Sequence, residues 1–133
     1  MDKLQEKIYL YQILKSQEEN FLKQIALLEE EKRELKNEEK VLQELENKRG
    51  QEFFASLGEN CFVKAEIRDD RVLVNVGAGI LVRKKISDAV EVLKKRIEEI
   101  ESAKKEAEER LKKIEEQIER IEPEIEKLVS KSK

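Results

Sequence analysis

Four groupings in this chain have residue types and spacings that could do chemistry. They are the Cys61 thiol, the Gly77-Ala78-Gly79 run, the Ser102-x-x-Lys105 pair, and the adjacent carboxylates Glu98-Glu99 and Glu108-Glu109. A nucleophilic thiol needs a neighbouring base or cation to hold it as thiolate, and the chain contains no histidine, so Cys61 reads as a small apolar strand residue. As the single cysteine it cannot close a disulfide within the chain. A phosphate cradle of the G-x-G-x-x-G type needs a third glycine where this chain has Val82, and no Walker lysine pattern follows; the two glycines read as a turn. Ser102 and Lys105 match an acyl-enzyme spacing but lie on a charged helix face without the companion motifs. The paired glutamates sit on a solvated face, without the desolvation that raises a catalytic carboxylate's pKa. The chain therefore reads as a non-enzyme, with no catalytic residue, no metal site and no cofactor.

What remains is the chemistry of apolar recognition. Between Leu4 and Leu14, seven of eleven residues are apolar or tyrosine: Leu4, Ile8, Tyr9, Leu10, Tyr11, Ile13 and Leu14. A two-stranded helical seam uses two positions in seven, so Ile8, Tyr9, Leu10 and Ile13 cannot all face one partner helix. If the chain folds back on itself, Ile121, Ile125, Leu128 and Val129 come alongside. Contiguous exposed apolar surface of this kind marks a binding site. The expected binding tip is Leu4, Ile8, Tyr9, Tyr11, Leu14, Ile121, Ile125 and Leu128.

Long helices must position these residues. From Val90 to Leu128 a three-four rhythm runs through Val90, Leu93, Ile97, Ile100, Lys104, Ala107, Leu111, Ile114, Ile118, Ile121, Ile125 and Leu128. A seam repeating every ~3.5 residues stays on one side only if the helix winds around a partner. An N-terminal helix, about Asp2 to Lys48, contains no Gly or Pro and carries Leu14, Phe21, Leu28, Leu35 and Leu42 at seven-residue spacing. Its second line is poorer: Leu4, Tyr11, Glu18, Ile25, Lys32 and Glu39. Gly50, able to take the left-handed conformation, is expected to close it. Ser87 is the expected N-cap of the C-terminal helix, about Asp88 to Val129. Pro123 predicts a kink or a restarted helix there, because proline lacks an amide hydrogen and its ring presses on the Glu119 carbonyl.

The two helices would be roughly 70 Å and 60 Å long at ~1.5 Å per residue, which suits an antiparallel pair internal to one chain. That pairing places Tyr11 near Ile125 and Phe21 near Ile114 or Ile118. It also brings Lys32 and Lys104 to one level, and two seam cations predict a soft middle.

Between the helices, Phe53 to Leu57, Cys61 to Ile67, Val72 to Val76 and Ile80 to Arg83 read as four strands by β-branched content and period-two alternation. The Arg68-Asp69-Asp70-Arg71 turn predicts a hairpin between the middle two, with Gly58-Glu59-Asn60 and Gly77-Ala78-Gly79 linking the outer runs. Four short strands cannot stand alone, and their edges need partner strands from other chains. The expected assembly residues are Phe62, Val63, Ala65, Ile67, Val72, Val74, Val76, Ile80 and Val82. The fold class is α+β: a long antiparallel two-helix coiled coil joined by a small four-strand, two-hairpin β segment that forms an intersubunit β-barrel. One domain, 1–133, divides into a helix (1–49), the assembly hairpins (50–86) and a second helix (87–133).

Charged residues make up 44% of the chain, and 28 Lys plus Arg against 31 Asp plus Glu give a net charge of -3. No basic field exists to attract nucleic acid or anionic lipid. With no apolar run near the ~20 residues a span needs and no leader pattern, the expectation is a cytoplasmic protein with no membrane or nucleic-acid partner.

The stretch Phe54-Ala55-Ser56-Leu57-Gly58-Glu59-Asn60-Cys61-Phe62-Val63-Lys64-Ala65-Glu66-Ile67, followed by Val74-Asn75-Val76-Gly77-Ala78-Gly79 and Lys84-Lys85-Ile86-Ser87-Asp88-Ala89, resembles the α-class subunit of archaeal prefoldin. Such subunits carry two hairpins where the β class has one. This chain has Ser56 and Gly58-Glu59-Asn60 where they tend to have a proline and a Gly-Ala-Gly turn. The resemblance implies an ATP-independent holdase in which two α-class and four β-class subunits share a β-barrel platform. Coiled-coil tips capture unfolded polypeptide and pass it to a group II chaperonin. The alternative is a scaffolding coiled-coil oligomer without client binding.

Overall fold

The computed structural model describes residues 2–132; Met1 and Lys133, the ends of the expected domain, lie outside the described residues. The element order is α1 (Lys3–Leu45), β1 (Glu52–Ser56), β2 (Phe62–Glu66), β3 (Arg71–Asn75), β4 (Leu81–Lys85) and α2 (Ile86–Ser132). Contacts gather into a terminal unit, Met1–Glu31 with Ile100–Lys133, and a central unit, Lys32–Glu99.

Helix α1 opens on a side-chain cap. The Asp2 carboxylate accepts the Gln5 amide at 2.8 Å, satisfying one of the first-turn donors that has no helical partner. It closes earlier than Gly50. Asn47, at φ 58, takes the left-handed position after Leu45, and Gly50, at φ 87, serves the next turn instead, donating to the Ile67 carbonyl at 2.6 Å. Asparagine tolerates that conformation because its short polar side chain bonds locally.

Helix α2 follows β4 without a loop, starting at Ile86, whose amide donates to the Asp70 carbonyl at 3.2 Å. Ser87 is thus inside the first turn rather than its cap. At Pro123 the helix does not restart: it continues to Ser132. Proline deletes one amide bond, and the adjoining turns are anchored by the buried Ile121 and half-buried Ile125 and Leu128.

In the terminal unit the helices run antiparallel, since Lys7 meets Glu124 while Glu29 meets Lys104. Leu14, Ile114, Ile118 and Ile121 form its core, with Tyr11, Phe21 and Ile125 packed against them, as the expected register requires. Of the twelve α2 seam residues, nine are buried and Lys104, Ile125 and Leu128 are half-buried, so the rhythm does mark one covered stripe. The ragged α1 line is half-buried at every step, including its charged members Glu18, Lys32 and Glu39. Among these, the Glu18 carboxylate is met by the Lys15 ammonium at 3.1 Å.

The central unit holds the strands. β1 pairs antiparallel with β2, and β3 with β4, as two separate two-stranded sheets. The expected middle hairpin is therefore wrong. Residues 68–70 form a connection rather than a tight turn: the Asp69 carboxylate accepts the Arg71 amide at 3.1 Å, and Asp70 is tied to Ile86. That amide bond, with the Arg71 guanidinium, holds the Asp69 carboxyl below its ordinary pKa. The tight turns are Leu57–Cys61 and Val76–Ile80. In the second, Gly77, Ala78 and Gly79 all have positive φ (121, 51 and 73), and the Asn75 side chain accepts the Gly77 amide at 2.9 Å.

Candidate interaction surfaces

The groups singled out for chemistry are all in water. Cys61 is exposed in the first turn, one residue before β2, and is not the strand residue expected. Ser102, Lys105, Glu98, Glu99, Glu108 and Glu109 lie exposed along α2.

The terminal unit sorts the tip residues into two kinds. Leu14, 4% exposed, and Ile121 are core, while Leu4, Tyr11, Ile125 and Leu128 are half-buried. The solvent-facing members are Ile8 and above all Tyr9, 61% exposed, joined by Leu10, Ile13 and Val129. Buried members cannot touch a ligand without leaving the seam, so Leu14 and Ile121 hold the helices together beneath a surface formed by the others. Ile8, Tyr9 and Leu10 are consecutive, spanning about 200° of helix circumference at ~100° per residue. Only part of that arc can face α2. Two bonds tie the helices here: Lys7 to Glu124 at 2.5 Å, and the Tyr11 hydroxyl donating to Glu122 at 3.3 Å.

Further along the unit, Lys104 lies in the seam between Ile100 and Ala107. Its ammonium reaches Glu29 at 3.0 Å and Glu108 at 3.8 Å, so the seam cation is matched by carboxylates. The hydrogen bond to Glu29 raises its pKa above the ordinary 10.5, outweighing the partial loss of water around it.

In the central unit, strand register fixes which side chains share a face. Phe53 pairs with Ala65 and Ala55 with Val63, so these four share one face; Phe54, opposite Lys64, and Phe62, opposite Ser56, share the other. Phe54 is 70% exposed and Phe62 62%. In the second hairpin Val72 and Val74 point inward, and Val74 is buried; Leu73 and Leu81 point outward and are exposed. Of the expected assembly residues, Phe62, Val63, Val76, Ile80 and Val82 are exposed, Ala65, Ile67 and Val72 half-buried, and Val74 is core. Phe53, Phe54, Leu57, Leu73 and Leu81 are exposed apolar residues outside that set. The signal for them was present: apolar residues occupy both phases of the alternation, which predicts a sheet covered on both faces. Val72, Val74, Leu42 and Leu93 line an open groove of about 530 Å³, where Arg96 donates to the Asn75 carbonyl.

Two antiparallel helices with apolar residues exposed near the chain's ends, and short strands with open edges, define an assembly-forming coiled-coil protein. The chain belongs to the prefoldin family: residues 14–131 match the family model for the Prefoldin subunit. Prefoldins are hetero-oligomeric chaperones rather than enzymes. The chain is 35% identical to prefoldin subunit alpha 1 of Thermococcus kodakarensis, over 73% of this chain and 68% of that one. With prefoldin subunit alpha 1 of Methanocaldococcus jannaschii it shares 29% identity over 75% and 69%. The fold is similar to a chain of filamentous PFD from Methanocaldococcus jannaschii solved by cryo-EM, with a TM-score of 0.73, 19% identity, and coverage of 85% of this chain and 95% of that chain. No helix among the described residues is long and apolar enough to cross a membrane.

Proposed function

We propose that this chain is an α-class subunit of an ATP-independent holdase, joined through its strands to β-class prefoldin subunits, two α with four β. It captures unfolded polypeptide with the apolar helix ends of the terminal unit and releases it to a group II chaperonin. The observation that carries this reading is the run Ile8-Tyr9-Leu10 with Ile13, exposed beside a seam that Leu14 and Ile121 already fill. Such side chains leave apolar surface in water that the helix pair does not cover, and an apolar patch holds any unfolded chain weakly and without sequence preference. Several weak contacts on one client sum to useful affinity through effective concentration. Release needs no nucleotide when a second chaperone competes for the same weakly held segment.

Removing residues 2–13 and 122–133 tests this. The truncated chain, mixed with a β-class subunit, is expected to give an oligomer of the same stoichiometry by native mass spectrometry. It should lose suppression of light scattering by a heat-aggregated test protein. Undiminished protection would sink the assignment. An intact chain giving no protection at all would instead mark a scaffold.

A further inference from the structure

Two grooves flank the seam at the end of the terminal unit, and their charge differs. One is lined by Ile8, Tyr11 and Ile125 together with Glu122 and Glu126, and no cation among the described residues lines it. The other includes Leu10, Lys7, Arg120 and Glu124. In that second groove Lys7 already neutralises Glu124 at 2.5 Å, leaving Arg120 in excess. In the first, Glu122 accepts a bond from the uncharged Tyr11 hydroxyl, which leaves its charge in place. Lys15 senses Glu122 but is held by Glu18 at 3.1 Å.

We infer that the Glu122/Glu126 groove selects among unfolded segments, preferring those in which lysine or arginine flanks a short apolar stretch. This rests on the capture reading above and supplies its selectivity. The apolar stretch would lie over the exposed Ile8 and the part of half-buried Ile125 still in water. The flanking cations would meet Glu122 and Glu126. Acidic flanks would meet two like charges at the same place. Capture then becomes sensitive to the charge beside an apolar segment, while remaining indifferent to its sequence. Exposed ion pairs are individually weak, so two of them give a preference of about fivefold at low salt.

The test is a fluorescence-anisotropy titration of the full chain with two dye-labelled peptides sharing one Leu- and Phe-containing centre, one flanked by lysine pairs and the other by glutamate pairs. The lysine peptide is expected to bind about fivefold more tightly at about 50 mM salt, and the gap should close at about 500 mM. It should also close in Glu122→Gln/Glu126→Gln. It should persist in Glu115→Gln/Glu116→Gln, which changes net charge equally on an exposed stretch outside the groove. Ile8→Ala should weaken both peptides alike. Equal binding of the two peptides, or a preference that survives Glu122→Gln/Glu126→Gln, overturns the inference and leaves capture standing. Failure of both peptides to bind likewise overturns the inference, while capture itself is decided by the aggregation assay above, where several weak contacts act on one client.

Discussion

In the terminal unit all regular structure is helical, and what is left over is side-chain surface around Ile8, Tyr9 and Leu10. In the central unit the strands leave backbone unsatisfied as well, because each has a single partner and one open edge. The two kinds of surplus suit different jobs. A strand edge offers amides and carbonyls at fixed spacing, so whatever completes it must be extended, in register, and shaped for Phe54 or Leu73 on the accompanying face. That is the chemistry of a defined, lasting partner. An apolar helix end offers attraction without direction, and many chains satisfy it briefly. A strand edge that fixes the shape of its partner and an apolar helix end that does not are therefore two different kinds of interaction surface in one chain.

The sharpest break in that contrast is Phe54→Ser/Phe62→Ser, on one face of the first hairpin. Neither side chain is buried within the chain, so far-ultraviolet circular dichroism should not change. Association with a β-class subunit, read by native mass spectrometry, should be lost at micromolar concentration. Oligomer formation at wild-type affinity would mean that this face is not an assembly surface. Next in size is Leu14→Ala. It removes a buried seam side chain and should cost about 3 kcal/mol in denaturant unfolding of the chain, leaving strand-mediated association unchanged.

A smaller effect, of opposite sign, is expected for Lys104→Leu. Leucine fills the seam without a charge to keep near water, and the released Glu29 is half in solvent, so a modest gain should appear as a higher Tm. The pH dependence discriminates. Glu29 raises the folded-state pKa of Lys104, so the ion pair's contribution is complete below 10.5 and disappears as pH climbs through the raised value. The wild-type Tm should fall faster above that pH than the variant's, and parallel curves would show that the pair contributes nothing. The smallest change is Ala78→Gly. Ala78 is held at φ 51 between two glycines, and relieving that conformation should stabilise the second hairpin by about 0.5–1 kcal/mol, visible as slower amide exchange at Val76 and Ile80.

Much of this was legible in the residues. The α2 rhythm gave the buried stripe almost residue by residue, and the antiparallel register of Tyr11 with Ile125 followed from helix lengths alone. The strand pairing was not legible from the turn residues alone, although the two hairpins implied by the family resemblance are the ones that form. Arg68 to Arg71 has turn composition, yet what decides between one meander and two hairpins is where the backbone amides of Ile67 and Ile86 find acceptors, and those are Gln51 and Asp70. The stop of α1 was misplaced for a similar reason, since Asn47 and Gly50 can both adopt positive φ.

The same division runs through the candidate interaction surfaces. Periodicity fixed that Leu14 and Tyr9 differ in helical phase, and composition fixed that there are more apolar residues near the N-terminus than a two-helix seam can use. Those are local properties, set by a repeat of 3.6 or 2 residues and by counting. The folded chain alone decided that Leu14 and Ile121 are consumed in the core while Ile8, Tyr9 and Leu10 stay in water. It also decided that Glu122 and Glu126 line one side of the seam and Lys7 and Arg120 the other. Exposure and charge grouping depend on which residues from distant parts of the chain become neighbours, and no local pattern carries that information.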